Sequence, residues 1–449
     1  MDRPAENENP AASRWFRPVD VSTLALFRIG FGFILCWEAF RYFALFRIDQ
    51  YYKEVTFHFT YPLFSFVKAL PGEWMFLPFL VMGASALLVG LGLFYRLSAI
   101  VFFLSYTYIF LIDSTQYNNH YYFISLVGFL LCFISPHVRY SIDAKRKPAI
   151  RSNTVPFWQL FILRFQIVVV YFYGGVAKIN PDWLQGEPLR HWVYPDQVLI
   201  IEGVLTHEMW VYFLSYAGML FDLLIGFTLL WRKTRMISII AVLIFNLGNS
   251  HLFSIGIFPW LMIATTVLFL QPETPRLWLR RHRFIRNLKK ENPIPAPARP
   301  LPVYVFLGIY CGLQILLPFR HWLWTGNVSW TEEGHRFAWH MKLRSKRGSL
   351  YFIARDPATG SEKMLHISAD LTDRQIQKMT SRPDMILQYA HYARDRLKKR
   401  GIANPEIYAK TNISLNFKPR RPLIDPNANL AERQYSLWSH NKWILTYED

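Results

Sequence analysis

Three polar groupings fall where apolar stretches of the chain end, and each carries groups that can move or hold a proton. The first is Asn118-Asn119-His120, the second runs from Gly174 to Lys178, and the third is Asn249-Ser250-His251. A lysine enclosed by apolar and aromatic surroundings has its charged form disfavoured, so it can serve as a neutral amine and a general base. Lys178 is the candidate for that role. Tyr171 lies seven residues earlier, two helical turns back on the same face. Gly174 and Gly175 leave room for a flat ligand or a neighbouring helix. His120 can shuttle a proton or donate a hydrogen bond, and Asn119 can orient either partner. Asn118, Tyr171, Asn249 and His251 complete the expected substrate-binding wall. The outline is a proton-abstraction site opening onto a membrane, which a lipid-soluble substrate enters sideways.

Plainer readings stand beside this one. Lys178 could snorkel to lipid headgroups, and the Asn-Asn-His turn could simply cap a helix. Asn249 and His251 could form a loop between short spans. Asp222, inside an apolar run, is expected to pair with an intramembrane cation, Arg28 or Arg164 being the candidates. The histidines His120, His191, His207 and His251 show no His-x-x-x-His spacing, so no metal is predicted. A Gly-rich phosphate loop and a nucleophile elbow are also missing from the sequence.

The elements that must position these groups follow from composition. The 449 residues are 52% hydrophobic and only 18% charged, with 17% aromatic. The apolar excess comes in blocks of about 20 residues, enough to cross a bilayer as helix. Nine candidate spans lie near 22–46, 74–94, 97–112, 120–136, 156–177, 209–231, 236–250, 253–270 and 301–318. The reading is an all-α polytopic membrane bundle with a small α+β non-cytoplasmic C-terminal domain. Residues 1–21 form a cytoplasmic N-terminal segment, 22–318 the bundle and 319–449 the soluble domain. Residues 1–21 lack a cleavable signal, so the first span is expected to be an uncleaved anchor. The mixed, aromatic interval 47–73 reads as interfacial. Cys36, Cys132 and Cys311 all sit in apolar blocks, which leaves no disulfide framework to read.

Charge sets the orientation. Segments on the N-terminal side of the nine spans carry twenty Lys and Arg, and those on the other side carry five. The positive-inside rule then places the N-terminus in the cytoplasm and residues 319–449 outside it. A Pro-rich linker occupies 291–302. The tail shows strand-like runs (LYFIA, KMLHIS) and one helical run (MILQYAHYARDRLKKR). Its basic residues outnumber its acidic ones, which orientation cannot explain. Lys342, Arg344, Lys346 and Arg347 are the densest patch, with Arg394 to Arg400 a second. Such a surface attracts an acidic peptide or anionic lipid, Lys342 and Arg344 being the expected peptide contacts. Nucleic acid is not an expected partner on that side.

The sequence resembles the vitamin K-dependent γ-glutamyl carboxylase family in its shorter microbial form. The resemblance is carried by LALFRIGFG, YIFLIDSTQYNNHYY, YSID, GGVAKINPDW, GNSHLFSIGIF, LLPFRHWLW and PEIYAKTNISLN, from about residue 15 onward. It implies epoxidation of reduced vitamin K, a naphthohydroquinone, by O2, coupled to γ-carboxylation of a peptide glutamate by CO2. By that resemblance the essential lysine base falls on Lys178 and the functional histidine on His120, with Asn119 beside it. Ala177 stands where the animal pattern has a second lysine, and animal members extend further at their C-terminal end. The partners implied are the lipid bilayer, a quinone and a glutamate-containing peptide or protein, in a bacterial inner membrane with the C-terminal domain in the periplasm. A quinol epoxidase without peptide carboxylation, or a non-catalytic quinone or lipid carrier, would reuse the same bundle.

Overall fold

The computed structural model describes residues 14–198, 200, 205–252, 256–282 and 300–447. Residues 1–13 and most of the Pro-rich linker lie outside these. The membrane part contains α1 (Ser22–Ala44), α2 (Phe76–Leu91), α3 (Tyr95–Ile112) and α4 (Asn119–Leu131). It continues with α5 (Phe157–Val176), α6 (His207–Leu230), α7 (Arg235–Leu252), α8 (Phe258–Thr266), α9 (Thr274–Arg281) and α10 (Leu301–Leu316). Among the described residues six helices are long and apolar enough to cross a membrane: α1, α2 with its leading turn, α3, α5, α6 and α10 with its trailing turn. The other three expected spans do not meet that measure. At 1.5 Å per residue the thirteen residues of α4 reach only about 20 Å, against about 30 Å of hydrocarbon. The nine residues of α8 are extended only by a tight turn at Val267–Phe269, and α7 mixes Asn246, Asn249 and His251 into its last turns.

Contacts separate two ends. At one, β1 (Pro18–Asp20) pairs antiparallel with β2 (Thr154–Pro156), and Arg276 Nε sits 2.7 Å from Asp20. Arg28, expected as a partner of Asp222, instead donates to the carbonyls of Val89 (2.8 Å), Gly90 (2.6 Å) and Tyr140 (2.6 Å). Arg164 likewise donates to Leu268 and Leu270 O. Both arginines donate to backbone carbonyls at or near helix ends, which need donors inside a bilayer.

At the other end sits the C-terminal region, whose three-stranded antiparallel sheet has the order β4 (Glu362–Met364), β3 (Lys346–Arg355), β5 (Glu406–Leu415). Helices α11 (Asp373–Thr380) and α12 (Pro383–Lys399) cover its apolar face. The period-two alternation along β5, with Ile407, Ala409, Ile413 and Leu415 fully buried, is a half-covered strand. Phe59, from the 47–73 interval, is fully buried in this same core. Gln388 pairs with both backbone groups of Thr60, and Gln375 donates to Phe57 O (2.7 Å). The interval is therefore no span. It is a wedge joining the domain to the bundle mouth.

Candidate active site

A cavity of about 930 Å³ lies where the bundle meets the C-terminal region. It is lined by the first, second and third polar groupings together: Asn118, Asn119, His120, Tyr171, Lys178 and Asn249 all face it, as do Lys342 and Arg344. His251 does not; it is exposed at the last turn of α7 and outside the lining.

Lys178 follows α5, whose last turns carry Tyr171 and the Gly174-Gly175 pair. The glycines admit a neighbouring helix. A Cβ on Gly175 would stand 2.6 Å from Leu223 N of α6, and one on Gly174 would stand 2.9 Å from the Met341 methyl and 3.4 Å from an Asp222 carboxylate oxygen. That close crossing brings Asp222 to Lys178. The lysine side chain, 8% exposed, donates to the Asp222 carboxylate and to Gly174 O (3.3 Å), with the Trp183 ring 5.4 Å away. Asp222 thus pairs with the lysine, not with either arginine. The reason is geometric: sequence spacing cannot show that two glycines let α6 approach the end of α5. Lys178 does not snorkel, because its ammonium position is closed over by these groups.

The opposite wall begins at α4. Asn119 bridges two regions, accepting from Tyr117 Oη (2.9 Å) and donating to His340 O (2.8 Å). His120 meets Tyr121 edge-on and Phe258 at a tilt, with ring centroids 4.4 and 5.6 Å away. Tyr117 Oη also accepts from Phe337 N (2.7 Å), so the turn before α4 holds the segment 332–342 in place. That segment is strained. Glu332, Phe337, Trp339 and Lys342 have φ of 64°, 64°, 60° and 52°, a left-handed conformation costing non-glycine residues on the order of 1–3 kcal/mol each. Strain of this kind persists where surrounding contacts over-determine it, and here the contacts are the cavity wall.

The segment's charges are concentrated on one carboxylate. Glu332, buried, accepts from Arg344 Nε (2.7 Å), with Lys346 Nζ at 3.4 Å. Burial opposes its ionisation, but Arg344, Lys346 and Arg382 outweigh burial and hold it below the ordinary carboxylate range. Arg344 also meets His335. Burial, then Arg344, keeps His335 well below the usual imidazole range; burial, then His321 and Arg344, pushes His340 down to about 3. Both imidazoles are neutral at working pH. Neither ring nitrogen of His340 has a protein hydrogen-bond partner, although the side chain is buried and lines the cavity. Arg374 and Arg382 add further cations to this wall. His335, His340, Arg374 and Arg382 were not singled out from sequence. The run Trp339-His340-Met341-Lys342-Leu343-Arg344, beside the patch already noted, was the available signal.

Chemically, one wall holds an amine and a carboxylate able to exchange a proton, and the other an excess of cations around neutral imidazoles. Aromatic rings line the space between. Among the described residues, no group of three His, Cys, Asp or Glu is placed to hold a metal ion. The two regions match two family models. Residues 16–274 match the HTTM domain, and residues 300–449 match the lumenal domain of vitamin K-dependent gamma-carboxylase. No solved structure matches the chain.

Proposed function

We propose that this protein, which belongs to the vitamin K-dependent gamma-carboxylase family, is an integral membrane enzyme that oxidises a reduced naphthoquinone and carboxylates peptide glutamate. The balance is one hydroquinone, O2, CO2 and glutamate giving one epoxide, one water and one γ-carboxyglutamate. The observation that carries the reading is the closed Lys178–Asp222 pair in the same cavity as Asn119 and His120.

The Lys178 ammonium passes a proton to Asp222, and the neutral amine so formed takes the hydroquinone proton, leaving the ammonium, a protonated Asp222 and the quinol anion. Asn119 holds the α4 mouth against the 332–342 segment, and His120, between Tyr121 and Phe258, stands where an anion beside the quinone is stabilised. Tyr171, Asn118 and Asn249 form the quinone-facing wall. Lys342 and Arg344 attract the glutamate-bearing peptide. Water would quench a strong base made here, and the apolar bundle with the docked domain keeps it out. The setting we favour is a bacterial inner membrane with the C-terminal domain in the periplasm; the tail at the end opposite the N-terminal strand supports only the non-cytoplasmic side of that reading.

Purified protein given reduced vitamin K, labelled CO2 and a glutamate-rich peptide tests the proposal. Epoxide and labelled peptide are expected together. Epoxide without label reduces the protein to a quinol oxygenase; neither product leaves only a carrier.

A further inference from the structure

We propose that the unpaired edge of β3, beside the cavity mouth, is a docking strand for an extended acidic peptide; this rests on the peptide-carboxylating reading above. In the sheet, β4 covers only Ile353–Arg355 of β3, whereas β5 covers all of Lys346–Arg355 on the other side. Among the described residues, Lys346 to Tyr351 therefore faces a strand on one side only. Parity fixes where its main-chain groups point. Ser345 O accepts from Asn416 N (2.8 Å) next to β5, and Phe352 O accepts from Leu365 N (2.9 Å) next to β4. A residue's N–H and C=O leave an antiparallel strand on the same side, and the side alternates. Lys346, Gly348 and Leu350 thus aim both groups away from β5. Arg347, Gly348, Ser349 and Tyr351 are exposed, and no proline interrupts the edge. Such an edge is a template for another strand.

Charge and continuity choose the partner. Arg347 stands on the solvated face of the strand, and Lys342 and Arg344 lie just before it. Glu332, the acid of the segment leading into β3, is already engaged by Arg344 and Lys346. A second copy of this basic strand would be repelled; a glutamate-rich one is attracted. Continuity is direct, because Lys342 and Arg344 line the cavity and β3 starts two residues later. At about 3.3 Å per residue, a peptide antiparallel to β3 runs on from the line of β4 and brings its next residues to the mouth within about 7–10 Å. Main-chain pairing gives affinity whatever the side chains are, so one edge can present successive glutamates.

The test uses the full protein in nanodiscs and a fluorescent decapeptide of alternating glutamate and valine, N-methylated at one residue at a time, with reduced vitamin K and labelled CO2 supplied in a parallel assay. A docked strand predicts a period of two: every second N-methyl weakens binding about tenfold, and the intervening ones less than about twofold. Arg347→Glu lowers affinity for the unmethylated peptide about fivefold. A flat methylation profile, or no binding of the parent peptide, overturns the docking strand. A flat profile with label entering the peptide overturns it while leaving carboxylation standing. A period-two profile without label supports docking and overturns carboxylation.

Discussion

The two walls of one cavity treat charge in opposite ways. At the end of α5 on the bundle side one amine meets one carboxylate, Lys178 with Asp222, beside aromatic rings, apart from the Glu38 carboxylate that serves Arg41 and Arg47. On the domain side one carboxylate, Glu332, serves Arg344 and Lys346 with Arg382 close enough to act on it, and Lys342 and Arg374 line the same cavity. A one-to-one pair can exchange a single proton with little change in net charge. An over-supplied cationic wall does not do that; it holds an anion. The proposed function follows that difference, with proton chemistry at the bundle pair and recognition of the acidic substrate by the domain.

The largest expected effect breaks the bundle side. Lys178→Ala should lower epoxide formation by roughly 10²–10⁴-fold, the range of a general base. Product chromatography on folded, purified variant checks it. Undiminished epoxide would leave the lysine without a chemical role. On the domain side, Glu332→Gln strips the shared acceptor from half-buried Arg344 and from the buried ammonium of Lys346. Breaking a buried charge cluster by removing one partner should cost about 3–5 kcal/mol, read as a fall in unfolding temperature. A smaller change would mean the cations relax into solvent, and the contrast between the walls would weaken. A third variant tests what brings the bundle pair together. Gly175→Ala places a methyl 2.6 Å from Leu223 N of α6, so α6 must move away from α5. The expected cost is about 1–3 kcal/mol, as for an overpacked core. Epoxide formation should fall with it, because Asp222 rides on α6.

The bundle side was largely legible in the sequence because membrane burial makes every polar residue conspicuous. Lys178, Asn119 and His120 stood out against apolar runs, and the structure gathers them around one cavity. The partner of Asp222 was not legible, since Arg28 and Arg164 find helix-end carbonyls that a sequence does not display. Span counting was coarser still: apolar runs that end in polar turns made α4 and α8 look long enough to cross a bilayer. The domain side was harder. Its basic patch was visible, but Lys342, Arg344 and Lys346 look alike in sequence. Their roles diverge only because left-handed turns at Glu332 and Lys342 fold the segment onto itself. β5 was quoted as a motif, but its half-buried alternation becomes a strand only against β3.

The gentlest test titrates the domain wall. Burial, opposed by Glu332 and reinforced by Arg344, pushes Lys346 from the ordinary 10.5 down to about 8. Unfolded, this lysine keeps its proton up to the ordinary value; folded, it releases it near 8. Below about pH 8 both states are protonated, and the fold carries the whole cost of a buried ammonium. Between the two values the unfolded chain binds more protons, so stability rises with pH, by up to about 1.4 kcal/mol per unit. Lys378, also held at about 8, first by burial and then by Arg382, contributes with the same sign. The informative quantity is therefore the difference between parent and Lys346→Met unfolding curves from pH 7 to 10. The variant should be the more stable at pH 7 in this one respect and show the shallower rise above pH 8. Equal slopes would place the titrating amine elsewhere, and the domain wall would then hold its cations as loosely as an ordinary surface.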